Sequence, residues 1–70
     1  MENYRNSDSG VRSYAIGDDF ITVQFKDGDI YKYSYSSAGT RNIEIMKGLA
    51  LRGRGLNTFI NKYVKKKYVK

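Results

Sequence analysis

Arg52-Gly53-Arg54-Gly55, running into Leu56-Asn57 and then Lys62, Lys65 and Lys66, is the stretch of this 70-residue chain whose residue types and spacing point most directly to chemistry. Guanidinium groups beside glycines at the start of a helix suit oxyanions, because the first turn leaves amide N–H groups unpaired and carries the positive end of the helix dipole. The pattern is not a P-loop, since no Gly-Lys-Ser or Gly-Lys-Thr follows at the spacing a nucleotide cradle requires, and a plain turn accounts for Gly53 and Gly55 by themselves. Lys65, Lys66 and Lys67 complement the dipole of a helix C-terminus. Arg52 and Arg54 have no such structural excuse. The expected site is therefore a phosphate-binding edge made of Arg52, Arg54, Asn57, Lys62, Lys65 and Lys66, with Asn61 adding a neutral hydrogen bond on the same side.

Other chemistry is hard to assemble from these residues. Zero Cys and zero His remove thiol nucleophiles, disulfides, the usual zinc ligands and the imidazole base. Asp18, Asp19, Asp27 and Asp29 fall in turn segments, where Asp bonds its local backbone. Glu44 reads as a surface partner for Arg41 or Lys47. Ser34, Ser36 and Ser37 have no histidine to activate them, and nothing suggests the desolvated lysine that could replace it. The expectation is a non-enzyme with no catalytic residue, no metal and no cofactor.

Charge sharpens the expectation. The chain carries thirteen Lys and Arg against seven Asp and Glu, net +6. Residues 1–35 hold four basic and six acidic side chains, whereas residues 36–70 hold nine basic residues and Glu44 alone. From Arg52 onward there are seven cations and no acid. Such a concentration attracts polyanions by long-range steering and counterion release, although a positive net charge also simply keeps a small protein soluble. No apolar run approaches the about 20 residues of a membrane span, and the polar start Met1-Glu2-Asn3-Tyr4-Arg5 does not read as a secretory signal, so a cytoplasmic address without membrane association is expected.

The elements that must position these residues follow from periodicity. Residues 1–9 lack a hydrophobic period and are expected to form a flexible arm, with a single domain over 10–70. Val11 to Ile16, Phe20 to Phe25 and Ile30 to Tyr35 alternate as strands, separated by Gly17-Asp18-Asp19 and Lys26-Asp27-Gly28-Asp29. Ile43, Ile45, Met46, Leu49 and Ala50 mark a first helix behind Ser36-Ser37-Ala38-Gly39-Thr40, with Ser37 or Thr40 as its N-cap. Leu56, Phe59, Ile60, Tyr63 and Val64 mark a second, opening after Gly53 and Gly55, with Asn61, Lys62, Lys65 and Lys66 on its opposite arc. The predicted fold is α+β: a three-stranded antiparallel β-meander followed by two α-helices packed on one face.

The second hairpin decides what Tyr31 and Tyr33 do, since a one-residue slip transfers a strand's side chains to the other face. A two-residue Asp27-Gly28 turn would make both tyrosines an exposed aromatic platform for base stacking. A type I turn over Phe25–Gly28, with Gly28 as a bulge, pairs Val23 with Tyr31 and Ile21 with Tyr33 and sends them to the core. Lys26 and Asp27 need no positive φ in the bulged turn, which favours it.

From about Val11 to Tyr68 the chain resembles the KTSC domain, a short module that also occurs at the carboxyl end of some lysyl-tRNA synthetases. The resemblance is carried by the strand residues Ile21, Val23 and Phe25, the Gly28 turn, Tyr31-Lys32-Tyr33 as a Tyr-x-Tyr pattern, and the closing Phe59, Asn61, Val64 and Tyr68. Ser37-Ala38-Gly39 and Gly55-Leu56-Asn57 fit it as well. The resemblance implies a small α+β fold and a conjectured RNA-binding role, and supplies no catalytic residues. RNA or another polyanion is thus the expected partner. The alternatives are an acidic protein docked on the basic face and a small phosphorylated nucleotide held at the Arg52–Asn57 corner. An open edge strand leaves room for a homodimer.

Overall fold

A computed structural model describes residues 1–5 and 10–70. Alternating β-branched and aromatic residues form β2 (Val11–Ile16), β3 (Phe20–Phe25) and β4 (Ile30–Ser34). A two-residue strand, β1 (Glu2–Asn3), pairs with β2 through Glu2↔Tyr14 and Asn3↔Ser13. The sheet is antiparallel with order β1-β2-β3-β4, so it has four strands where periodicity predicts three. The added strand comes from the segment expected to be a free arm. A two-residue strand is too short to show any period, and what anchors it is remote: Tyr4 is buried, its N–H donating to the Arg12 carbonyl at 3.0 Å. Residues 6–9 of that expected arm lie outside the described residues.

The β3–β4 hairpin takes the bulged register, with Val23↔Tyr31 and Ile21↔Tyr33 paired. The Gly28 N–H donates to the Phe25 carbonyl at 2.9 Å, Gly28 has φ 100°, and the Asp29 N–H donates to Asp27 Oδ1 at 3.0 Å. The positive φ at Gly28 is what lets a type I turn join two twisted strands.

β4 stops one residue earlier than alternation suggests, because Ser34 caps a short helix, α1 (Tyr35–Ala38). The Ser37 N–H donates to Ser34 Oγ at 3.2 Å while the Ser34 N–H donates to Ser37 Oγ at 3.0 Å, a reciprocal capping box. Ser34 thus caps α1, and neither Ser37 nor Thr40 supplies the N-cap expected for the longer helix that follows. The main helix, α2 (Thr40–Arg52), starts behind Gly39 with no side-chain cap and ends at Gly53, where φ is 77°. There the Gly53 N–H reaches the Leu49 and Ala50 carbonyls, the left-handed termination that glycine permits. Glu44 pairs with Lys47 at 3.0 Å and accepts from the Tyr35 hydroxyl at 2.7 Å. Lys47 also donates to the Asp18 carbonyl at 2.8 Å, tying α2 to the first turn of the meander.

The last helix begins as α3 (Leu56–Phe59) and widens into a π-helical turn over Ile60–Val64. Leu56, Ile60 and Val64 are all buried, whereas Tyr63 is 54% exposed, so the expected five-residue stripe loses Tyr63 to solvent. The widened turn explains this. In an α-helix, residues four apart drift about 40° around the axis, and an i→i+5 turn brings the next such step back toward the same line.

All helices lie on one face of the sheet. Val11, Tyr14, Ile21, Val23 and Tyr33 from the strands meet Ala38, Ile43, Met46, Ala50, Leu56, Ile60 and Val64 in one core. Each fully buried aliphatic residue contributes roughly 1.5–3 kcal/mol, so this layer supplies the stability that disulfides cannot.

Candidate nucleic-acid interface

The carboxyl half of the last helix stands beside the tip of the β3–β4 hairpin, and a cleft of about 530 Å³ opens between them. One wall is Asn61, Lys65 and Lys66; the other is Lys26, Asp27 and Asp29. Aromatic rings line the space between: Tyr31 lies 4.7 Å from Tyr68, centroid to centroid, and 5.8 Å from Phe25, while Tyr33 meets Tyr68 edge-on at 6.5 Å. Tyr68 is held there by the chain end, where the Val69 N–H donates to the Lys32 carbonyl on β4 at 2.6 Å.

The two tyrosines of β4 have different roles. Tyr33 is 1% exposed, and burial pushes its hydroxyl up to about 12. It is a core residue at the cleft rather than an exposed platform. Tyr31 is half-buried and its hydroxyl donates to Asp29 Oδ2 at 3.4 Å; the Asp29 charge beside it raises its pKa. A half-buried ring that lines an open cleft retains surface for stacking.

The basic residues divide. Lys65 and Lys66, just past the helix end, line the cleft together with Asn61, and Lys62 is exposed in the last turn of the helix. None of Lys62, Lys65 and Lys66 forms an ion pair with a described residue. Arg52 and Arg54 are also exposed and unpaired among the described residues, but they flank Gly53 at the α2–α3 junction and do not line the cleft. The Arg5 side chain packs over Gly53, where an added Cβ would lie 2.6 Å from Arg5 Cβ.

Two details change the expected phosphate seat at this junction. The Leu56 N–H, the first amide of α3, donates to the buried Tyr4 hydroxyl at 3.1 Å, so it is not open to an anion. Asn57 faces Gly10 and accepts from Asn61 Nδ2 at 3.4 Å, which makes it a packing residue at the start of the helix. Sequence reasoning missed Tyr68, Phe25 and the hairpin carboxylates as site residues. Asp27 and Asp29 read as turn residues because they are turn residues; only the tertiary approach of the last helix makes them part of a cleft wall.

Among the described residues no group of three or more His, Cys, Asp or Glu could hold a metal ion, and no helix is long and apolar enough to cross a membrane. No protein-family model, curated protein or solved structure significantly matches the chain.

Proposed function

We propose that this chain is a small, non-enzymatic, KTSC-like domain that binds single-stranded RNA through phosphate contacts from Lys62, Lys65 and Lys66. Arg52 and Arg54 add cations at the α2–α3 junction. The observation that carries the reading is a row of exposed lysines without ion-pair partners among the described residues, leading into a cleft lined by Tyr31 and Tyr68. Single strands present both a phosphate backbone for the cations and unstacked bases for the rings. A duplex would offer the phosphates alone.

Fluorescence anisotropy with a labelled RNA of about 12 nucleotides, within the site sizes of single-strand binders, tests it across a salt series. Affinity is expected to fall steeply as salt rises, since each neutralised phosphate releases condensed counterions. Binding that ignores salt, or no binding at low salt, overturns the proposal. Capture of an acidic protein that survives nuclease treatment, without RNA binding, points instead to protein docking on the basic face.

A further inference from the structure

The hairpin wall sets two carboxylates beside Lys26, whereas the helix wall carries no acid, and this asymmetry bears on which base can lie between them. On the hairpin wall, Asp27 Oδ1 accepts the Asp29 N–H and Asp29 Oδ2 accepts the Tyr31 hydroxyl. The second oxygen of each carboxylate has no hydrogen-bond partner among the described residues. A carboxylate only accepts. On the helix wall, Lys65 only donates, and Asn61 can donate through its amide. A volume of about 530 Å³ falls within the roughly 300–1,000 Å³ of small-ligand sites.

We propose that the cleft seats one guanine base of an RNA strand, stacked on the Tyr31–Tyr68 pair, with Asp29 reading its N1–H and N2 amine and Lys65 with Asn61 reading O6 and N7. Guanine offers two adjacent donors on one edge and two acceptors beside them, which matches this pair of walls. Adenine and cytosine each place an acceptor next to their exocyclic amine, and uracil flanks its one N–H with two carbonyls. Any of these three sets a lone pair against a carboxylate. Phosphates on either side of the base fall to Lys66 and Lys62, and the Lys65 ammonium, with three donors, contacts the phosphate of the seated nucleotide as well as the base. The inference rests on the RNA-binding reading above and adds to it a base preference.

The test measures binding of the full chain to four RNA pentamers, UUGUU, UUAUU, UUCUU and UUUUU, and to UUIUU, in which inosine lacks the N2 amine. UUGUU is expected to bind at least about five-fold tighter than the other four. Asp29→Asn keeps the backbone bonds of the turn. It should reduce the preference below about two-fold while leaving UUUUU binding equal or tighter, because a repelling charge is removed. Tyr68→Leu should weaken all five pentamers, with circular dichroism reporting that the fold is retained. Equal affinity for the pentamers, or a preference that survives Asp29→Asn, overturns the guanine site and leaves the RNA-binding reading standing. Absence of binding by every pentamer at low salt removes that reading and the guanine site with it.

Discussion

Tyr4 holds the two ends of the fold together through one atom. Its hydroxyl accepts the Leu56 N–H across a sequence separation of 52 residues, in a buried position where no water substitutes easily. Tyr4→Phe is expected to leave that amide unsatisfied and to cost about 1–3 kcal/mol in urea unfolding. Tyr63→Phe, at an exposed ring, should cost less than about 0.5 kcal/mol. Tyr33 makes a second prediction at this scale. Its folded pKa of about 12 lies above the unfolded value near 10, so the neutral phenol's contribution is fully present below pH 10 and is lost as pH rises through 12. Roughly 1–3 kcal/mol should disappear over that window, the lower part of the range reflecting solvent screening at the cleft. Urea unfolding between about pH 9 and pH 12 should show the decline in the native protein, and Tyr33→Phe should lack this part of it.

At the scale of elements, the join between sheet and helices is made by Ser34 rather than by the residues that open α2. The Ser34–Ser37 box ends β4 and starts α1 in one step, which redirects the chain across the sheet toward α2. Ser34→Ala should destabilise the protein by about 1 kcal/mol, whereas Thr40→Ala, at the position expected to cap α2 but without a capping bond, should change stability by less than about 0.5 kcal/mol. Chemical denaturation of the two variants separates these outcomes. In the last helix, a regular α-helical course would place Tyr63 on the buried stripe. The π-helical turn instead keeps Leu56, Ile60 and Val64 in line and releases Tyr63 to solvent, with its ring centroid 4.9 Å from that of Phe59.

Across the whole molecule, charge is segregated by the same chain order that segregates strands from helices. Asp18, Asp19, Asp27 and Asp29 lie in the turns of the meander, whereas seven cations occupy the chain from Arg52 onward with no acid among them. An evenly solvated surface would intersperse the two signs. Folding partly bridges this segregation, because Lys65 and Lys66 come to the rim of an aromatic cleft whose other wall holds Asp27 and Asp29. For a single strand the slope of log K against log salt is about −0.7 per phosphate contact. Replacing Lys62, Lys65 and Lys66 by Gln should therefore make the slope shallower by about 2, shared among the three positions. An unchanged slope in the triple variant would place the contacts elsewhere on the molecule.

Alternation and helical spacing by themselves determined β2, β3, the start of β4, α2 and the glycine stops, because those signals are local: a side chain's face follows from the residues beside it. Hairpin register was legible for the same reason, since Lys26-Asp27-Gly28 permits a bulged turn without strain before Gly28. The fourth strand, the buried Tyr4 and the partition of the cations were decided only in three dimensions. Most of these depend on groups far apart in the chain, and no period of two or 3.6 residues records a hydroxyl that meets an amide 52 positions away. The cleft is the plainest case: Asp29, Tyr31, Lys65 and Tyr68 share a surface because the last helix packs beside a hairpin tip, and that packing is set by the core beneath them.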